Sequence, residues 1–318
     1  MDILLFLQAL VLAIALVLAL GPQLIPFLHK LKFGQSIREV GPSTHLKKAG
    51  TPTMGGILFV PAIMLPTIFL TSIDKNVILV MLLFLGHFIL GFLDDYIKVV
   101  LKRNLGLKAK EKILGQLLIA MIFGYFVDQK PLWIPLLNLY WDMGVLYYPF
   151  VFLVIIGTTN AVNLTDGLDG LLAGTTLPVA LAYFIIAYSL VDTNLAIIAI
   201  SLLGACLAFL KFNSYPARVF MGDTGSLAIG GVIAGLALVT NTTLLLIILG
   251  GIYVIEALSV IAQVTSFKLT GQRILKMSPI HHHFELIGWR EIKVVRVFVF
   301  LNIFFALLGV AIFWISRC

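Results

Sequence analysis

Two adjacent carboxylates stand at the end of a long apolar run, and their spacing from nearby lysines suits chemistry on phosphates. Asp94 and Asp95 come just after VILVMLLFLGHFILGF, residues 77–92, a run close in length to a membrane-spanning helix. If the helix continues, Lys98 lies four residues after Asp94 and can reach it, and Lys102 extends the same face. Such a group can hold a divalent metal ion together with a phosphate. The alternative is a charged anchor at the membrane edge.

A second polar cluster follows the fifth apolar run. Residues 160–170 read NAVNLTDGLDG and include Asn163, Asp166 and Asp169. A helical turn would place the two carboxylates on one side, and the glycines beside them allow a ligand to approach the backbone closely. A simple turn needs only one Gly or Asn, so this density of polar groups favours a binding role.

A third polar cluster contains another carboxylate, Asp223, in the segment FMGDTGS between two later apolar runs. It can ligate a metal ion, cap the helix that follows, or do both. Asn213 ends the preceding run. Phe220 can stack on a planar ring, although an aromatic side chain at a membrane interface is the more common explanation.

Basic and hydroxyl residues add two candidate anion sites. His281, His282 and His283 lie inside the chain, so they are not an expression tag. Consecutive residues rarely all face one metal ion, so we favour contact with phosphate over a zinc site. Lys48 and Thr53 lie in a segment with Pro and Gly that can approach an anion; a helix start capped by Thr is the simpler alternative.

The composition requires a membrane setting for these clusters. Of 318 residues, 60% are hydrophobic and 12% are charged, which is far more apolar than a soluble domain. We predict an all-α polytopic membrane protein with a single domain over residues 1–318, whose first apolar run is a retained span rather than a signal peptide. The ten predicted transmembrane helices are 3–20, 55–72, 77–97, 113–127, 149–165, 170–190, 194–212, 224–240, 243–267 and 295–315.

The charge distribution orients this bundle. All of the 22 lysines and arginines except Lys75, Lys130 and Arg317 fall in one of the two alternating sets of connections. By the positive-inside rule that set is cytoplasmic, and both termini lie outside. The net charge of +7 therefore reflects topology and is no argument for nucleic acid, whereas a basic face would attract anionic membrane lipids and anionic substrates.

All of the polar clusters fall on the predicted cytoplasmic side. Several carboxylates, several cations and no cysteine ligands describe an oxygen-rich Mg²⁺ or Mn²⁺ site that handles phosphates. Phosphoryl transfer from an anionic soluble donor to a lipid fits this arrangement. A lipid or anion transporter is the alternative, but it would need charges near the membrane midplane. Glu256, inside the ninth predicted span, must face the interior, a wet groove or a partner, and its role stays open.

Five motifs between residues 50 and 290 resemble those of one family. They are PTMGG (52–56), LDDYIK (93–98), NAVNLTDGLDG (160–170), FMGDTGS (220–226) and SPIHHHFELIGW (278–289). In content and order they resemble the bacterial phospho-N-acetylmuramoyl-pentapeptide transferases, in the polyprenyl-phosphate N-acetylhexosamine-1-phosphate transferase superfamily. The paired aspartates and NxxNxxDGxDG are shared across the superfamily. PTMGG and HHHFE resemble the muramoyl-pentapeptide branch rather than the N-acetylglucosamine-1-phosphate branch.

The resemblance implies an enzyme of the bacterial cytoplasmic (inner) membrane with its active site on the cytoplasmic face. The reaction would transfer phospho-MurNAc-pentapeptide from UDP-MurNAc-pentapeptide to undecaprenyl phosphate, giving lipid I and UMP with Mg²⁺ as cofactor. Transfer from UDP-GlcNAc is the competing enzymatic interpretation. A homodimer is implied by likeness alone. Whether the path is direct or passes through a covalent aspartyl-phosphate stays open.

The resemblance also implies roles for individual residues. Asp223 would ligate Mg²⁺, Asp94 would be the candidate base, and Asp95 would lie near the metal or the lipid phosphate. His281 joins these three as a catalytic candidate. The residues implied around the uridine and sugar phosphate are Lys48, Thr53, Asn163, Asp166, Asp169, Asn213 and Phe220. The residues implied at phosphates are Lys98, Lys102, His281, His282 and His283.

Overall fold

The computed structural model describes residues 2–31, 50–101 and 106–317, and nearly all regular structure in them is helical. Apolar runs form helices because in lipid each backbone N–H and C=O must be satisfied within its own segment. The helices are α1 (Asp2–Lys30), α2 (Phe59–Leu70), α3 (Lys75–Val99), α4 (Ala109–Phe126), α5 (Tyr147–Thr165), α6 (Leu171–Ser189), α7 (Thr193–Asn213), α8 (Gly222–Val239), α9 (Thr243–Leu249), α10 (Gly251–Thr270), α11 (Ile280–Leu286) and α12 (Glu291–Arg317).

Eight helices within the described ranges are long and apolar enough to cross a membrane. They are α1, α3, α5, α6, α7, α8, α10 and α12. This confirms the prediction of an all-α polytopic membrane protein, while the count of ten spans and the side of each terminus stay predictions. Helix α2 and the 3₁₀ turn before it form a shorter apolar segment, Gly55–Leu70. Helix α4 begins with Lys110, Glu111 and Lys112, which shorten its apolar part.

The interval predicted as a single span, 243–267, consists of two helices. Helix α9 has only 7 residues, and α10, which has 20, begins after Gly250. The break coincides with the consecutive glycines Gly250 and Gly251, which remove two side chains from the helix surface. The Phe305 ring of α12 fills this space, since a Cβ on Gly251 would lie 2.5 Å from it. The glycines therefore admit a neighbouring helix where the predicted span is interrupted.

Helix α8 is the core of the bundle, and every residue from Thr224 to Val239 is buried. Its glycines let α3 approach closely, as small residues do at helix interfaces in membranes. A Cβ on Gly231 would lie 2.5 Å from the Leu83 carbonyl oxygen, and one on Gly235 would lie 3.1 Å from Val80 Cα. These two close approaches set the register of α8 against α3, so that the start of α8 lies beside the end of α3.

The bundle has two polar ends, which we name by their content. The carboxylate end comprises the end of α3, the start of α4, the end of α5 and the start of α8. The hairpin end comprises β1 (Leu132–Ile134) and β2 (Leu139–Trp141), which pair antiparallel with Trp133 opposite Tyr140. Trp133 is buried and its ring contacts the Phe313 ring of α12, so the hairpin is docked on the bundle.

Candidate active site

Three carboxylates meet at the carboxylate end, where α3 ends and α8 begins. Asp94 and Asp95 are buried in the last turns of α3, and Asp223 is the second residue of α8. One carboxylate oxygen from each lies within 4.8 Å of the others. Helix α3 comes so near that a Cβ on Gly91 would overlap the Asp223 carbonyl group. Close helix packing therefore joins residues that are far apart in the chain into one acidic cluster.

Two lysines bridge this cluster. Lys98 Nζ lies 2.5 Å from Asp94 Oδ2 and 2.9 Å from Asp223 Oδ2. Lys112 Nζ lies 2.6 Å from Asp223 Oδ2 and 3.3 Å from Asp94 Oδ2. The contact between Lys98 and Asp94 confirms the ion pair expected from their spacing. When all three carboxylates are ionised, the two ammonium groups do not neutralise them fully, which suits a divalent cation.

Lys112 belongs to the site, although it was not singled out from the sequence. It is the last of a run of basic residues, and the positive-inside rule explains such a run without any site. The residues just before α4 lie against α3, because Leu107 N donates to Asp94 Oδ1 at 2.7 Å. The available signal was the position of Lys112 immediately before the apolar run of a helix whose start adjoins the aspartate pair.

Asp95 is bound to the start of α8. Its Oδ2 accepts hydrogen bonds from Thr224 N at 2.9 Å and from Thr224 Oγ1 at 2.6 Å. A carboxylate there satisfies a free N–H group of the first helical turn and interacts favourably with the positive end of the helix dipole. Gly222 has a φ of 74°, and a Cβ there would approach Thr53 Oγ1 at 2.6 Å. Asp95 therefore also has a structural task, which is to hold α8 against α3.

The PTMGG segment reaches the same place through its backbone. Gly55 N donates to Phe220 O at 2.9 Å, and Phe220 N donates to Pro52 O at 2.8 Å. Thr53 and Phe220, both predicted to contact substrate, are thereby brought to the start of α8. Their contacts with a substrate stay a prediction.

Asn163, at the end of α5, orients the second oxygen of Asp223. Its Nδ2 donates to Asp223 Oδ1 at 2.9 Å and to Ser226 Oγ at 2.8 Å. The two lysines contact the other oxygen of Asp223, so this carboxylate is held from both sides. A carboxylate fixed in this way is preorganised for a ligand or a metal ion.

Asp166 is half-buried in the loop after α5 and has an altered acidity. Burial raises the pKa of the Asp166 carboxyl well above its usual range, and the nearby charges of Asp223 and Asp95 raise it further. A hydrogen bond donated by Gly222 N opposes this rise. The raised pKa favours a neutral carboxylic acid, which can donate as well as accept a hydrogen bond.

Asp169 and Asn213 join two loops at this end. Asp169 Oδ2 accepts from Ala217 N at 2.9 Å. Asn213 Oδ1 accepts from Gly170 N at 3.0 Å, and its Nδ2 donates to Val219 O at 3.0 Å. Both side chains thus set the shape of the loops that follow α5 and α7. Their predicted contacts with the uridine and sugar phosphate stay a prediction.

The three histidines do not act as one unit. His282 Nδ1 lies 2.9 Å from Glu285 Oε2. His283 Nδ1 accepts from Lys276 N at 3.1 Å. His281 is fully buried and turned towards α10. Their Nδ1 atoms therefore have three different partners, which lie on α10, on α11 and in the segment before α11. Their contact with phosphate stays a prediction.

Two of the predicted substrate contacts, Lys48 and Lys102, lie outside the described residues. Within residues 2–31, 50–101 and 106–317, the three aspartates Asp94, Asp95 and Asp223 are the only group of three or more His, Cys, Asp or Glu that is close enough to hold a metal ion. Carboxylate oxygens suit hard cations such as Mg²⁺. The candidate metal site is therefore wider than Asp223 alone.

Comparison with known proteins shows which family the chain resembles. The model described as glycosyl transferase family 4 matches residues 77–241, and the phospho-N-acetylmuramoyl-pentapeptide-transferase signature 1 matches residues 48–60. The chain is 53% identical to the phospho-N-acetylmuramoyl-pentapeptide-transferase of Heliobacterium modesticaldum, over 95% of this chain and 96% of the relative. It is 51% identical to the enzyme of the same name from Bacillus subtilis, over 92% and 93% of the two chains.

Proposed function

The chain belongs to the phospho-N-acetylmuramoyl-pentapeptide-transferase family, and from this premise we propose which reaction it performs. It transfers phospho-MurNAc-pentapeptide from UDP-MurNAc-pentapeptide to undecaprenyl phosphate, forming lipid I and UMP. The observation that carries the proposal is the convergence of three aspartates and two lysines at one end of an apolar helical bundle. A soluble nucleotide sugar and a lipid phosphate can meet only at such a boundary.

The proposed reaction exchanges one phosphorus–oxygen bond for another. An oxygen of the lipid phosphate bonds to the phosphorus that carries the sugar, and the bond from that phosphorus to the UMP oxygen breaks. A phosphate monoester is mostly dianionic at pH 7, so the attack does not require a base. Asp94 is the candidate base by family likeness, and in either case it holds Lys98 and Lys112 in place.

The two lysines supply positive charge where phosphate charge moves. Each already contacts Asp94 and Asp223, so neither has to reorganise during the reaction. We propose that Lys98 and Lys112 bind oxygens of the transferred phosphoryl group and of the leaving UMP. Asn163 keeps Asp223 oriented meanwhile, through its hydrogen bond to Oδ1.

We propose Mg²⁺ as the cofactor, held by Asp223 together with Asp94 and Asp95. The oxygen-only donor set and the incomplete neutralisation by lysines support this choice. When bound, the ion would neutralise diphosphate charge and stabilise the leaving group. The hydrogen bonds that Thr224 donates hold the carboxylate of Asp95 near those of Asp94 and Asp223, where it can contact the ion.

We propose that the carboxylate end faces the cytoplasm of a bacterial inner membrane. The basic connections, the soluble donor and the eight long apolar helices support this orientation. Ten spans result if α2 and α4 also cross and α9 with α10 makes one interrupted crossing, so that both termini lie outside. Reporter fusions at the two polar ends test this topology.

A homodimer follows only from family likeness, and cross-linking in membranes would test it.

A donor assay on the purified full-length protein in nanodiscs tests the reaction. UDP-MurNAc-pentapeptide or UDP-GlcNAc is offered with undecaprenyl phosphate, and UMP and the lipid product are measured. We expect UMP release from the muramoyl donor only, its loss with EDTA, and its return with excess Mg²⁺. UMP release from UDP-GlcNAc alone would favour the other branch of the superfamily, and uptake of lipid or anion without UMP would favour a transporter.

A further inference from the structure

Glu256 is a buried acid outside the carboxylate cluster, and it has a specific partner. It lies in α10 with no exposed surface. Its Oε1 accepts a hydrogen bond from His281 Nδ1 at 3.0 Å, and His281 is equally buried. A charged residue within a membrane helix is costly to bury, and such residues usually serve function. The pair therefore requires an explanation beyond packing.

The other ring nitrogen of His281 points at a loop of the active site. His281 Nε2 is buried, and no side chain or backbone group within the described residues hydrogen-bonds to it. It lies against Gly167, because a Cβ on that glycine would overlap the ring. Gly167 stands between Asp166 and Asp169, for which the family resemblance implies contacts with the uridine and sugar phosphate of the donor. The imidazole thus packs directly against this loop.

Helix α10 fixes the segment that precedes His281 as well. Glu256, Ser259 and Gln263 form a buried polar stripe on one face of the helix. Gln263 Oε1 accepts from Ile274 N at 3.0 Å and from Leu275 N at 2.9 Å. The segment that leads into α11 is therefore bound to α10 at two positions, Gln263 and Glu256. The hydrogen bonds to Gln263 fix the backbone of residues 274 and 275, and the hydrogen bond from His281 to Glu256 fixes the rotation of the imidazole ring.

We propose that Glu256 is a positioning residue that acts through His281 on the loop containing Gly167. An apolar pair would fill the same space, but it would not fix which nitrogen faces the loop, whereas a carboxylate bound to Nδ1 does. The inference rests on the proposed function, because the family resemblance implies that this loop binds the nucleotide sugar that the proposed reaction uses as donor. Loss of Glu256 weakens donor binding more than it slows the chemical step.

The test compares Glu256→Leu with Glu256→Gln in the full-length protein in nanodiscs. UMP release gives KM for UDP-MurNAc-pentapeptide and kcat for each variant. We expect Glu256→Leu to raise KM by about tenfold or more, the scale seen when a carboxylate that orients a histidine is lost. The change in kcat should be smaller. Glu256→Gln should stay near wild type, because its amide oxygen can still accept from Nδ1.

A double-mutant cycle and a matched control separate positioning from general damage. If Glu256 acts only through His281, Glu256→Leu combined with His281→Ala should be no worse than His281→Ala alone. The control is Asn302→Leu. Asn302 is buried on α12, where it donates to Thr175 O at 2.7 Å and accepts from Ile252 N at 3.2 Å, away from the carboxylate cluster. It should lower stability without raising KM.

Hydrogen–deuterium exchange of residues 160–170 provides a readout that needs no donor. Glu256→Leu should speed exchange in this stretch, and Asn302→Leu should not. Unchanged exchange, additive losses in the cycle, or a Glu256→Gln variant as impaired as Glu256→Leu would overturn the positioning role. If wild-type protein released no UMP from this donor, the proposed function would fail, and the exchange comparison would still decide the role of Glu256.

Discussion

The two ends of the bundle use the same residue types with opposite consequences. At the hairpin end, Lys75 and Asp128 pair at 2.5 Å with their side chains 51% and 69% exposed. At the carboxylate end, Lys98 and Asp94 pair at the same distance, but their side chains are 34% and 0% exposed. Water screens the first pair, which contributes little to stability. Burial of the second pair costs desolvation free energy that one ion pair does not reliably recover. Stability alone therefore does not account for the buried pair, whereas the proposed function does.

The largest difference between the two ends is expected when one aspartate at each end is replaced by asparagine. Asp223→Asn removes a charge that two lysines contact, so we expect turnover to fall by at least about 10²-fold, as when a preorganised charged group is removed from an active site. Asp128→Asn removes an exposed charge and should leave turnover unchanged. The measurement is UMP release by detergent-purified protein with saturating Mg²⁺ and both substrates.

Folding of the two variants is checked by size-exclusion chromatography before the assay. Near-wild-type UMP release by a monodisperse Asp223→Asn protein would remove the basis for a metal site at the carboxylate end. Equal losses in both variants would show that the assay reports folding rather than chemistry.

A second test concerns Lys112, the residue that the structure adds to the site. Lys112→Met keeps the aliphatic stem but removes the ammonium group 2.6 Å from Asp223. We expect about a 10- to 100-fold loss of kcat/KM, because Lys98 still contacts both carboxylates. Lys130→Met is the matched control, since its ammonium group donates to Val239 O at the hairpin end. Steady-state UMP release at varied donor concentration gives kcat/KM for both variants. Equal activity in the two variants would mean that Lys112 only helps to orient the chain in the membrane.

The sequence predicted the chemical groups better than it predicted their neighbours. Motif spacing indicated Asp94, Asp95 and Asp223, because carboxylates beside glycines or at the ends of apolar runs are unusual. Spacing within one helix also predicted the contact of Lys98 with Asp94. No pattern indicated that Lys112 would cross to Asp223, because that contact depends on how α4 packs against α3.

The broken span illustrates the same limit in the fold. The hydropathy pattern indicates one apolar run over 243–267, because Gly250 and Gly251 do not lower the mean hydropathy enough to mark a boundary. The Phe305 ring of another helix packs at the break, and the local sequence does not contain that neighbour. Likewise, Glu256 was recognisable as an anomalous buried charge, but its partner His281 depends on the packing of α10 against α11.

A smaller effect is expected from the threonines near the two ends of α8. Thr224→Val removes the hydroxyl that donates to Asp95 at 2.6 Å, whereas Thr240→Val removes the hydroxyl that donates to Leu236 O at 2.6 Å. Thr224→Val loses a buried hydrogen bond to a carboxylate, and Thr240→Val also loses the contact with Thr242 Oγ1 at 2.8 Å, so each should destabilise the protein by about 1 to 3 kcal/mol. Only Thr224→Val should also lower turnover, by several-fold, because Asp95 loses part of its support. Thermal melts and UMP release are measured on the same samples, and matching turnover would argue against a catalytic-site role for Asp95.

The smallest effect should come from the exposed pair itself. Lys75→Met should leave UMP release unchanged and shift Tm by less than about 2 °C at pH 7, because solvent screens the pair. The hydrogen bond and charge of Lys75 lower the pKa of Asp128, so any stabilisation is present above the ordinary carboxyl range and is lost as the pH falls through the lowered pKa. The Tm difference between wild type and variant should therefore shrink on acidification. A Tm loss as large as that of Thr224→Val, or one that grows in acid, would mean that the hairpin end depends on its charges as strongly as the carboxylate end does.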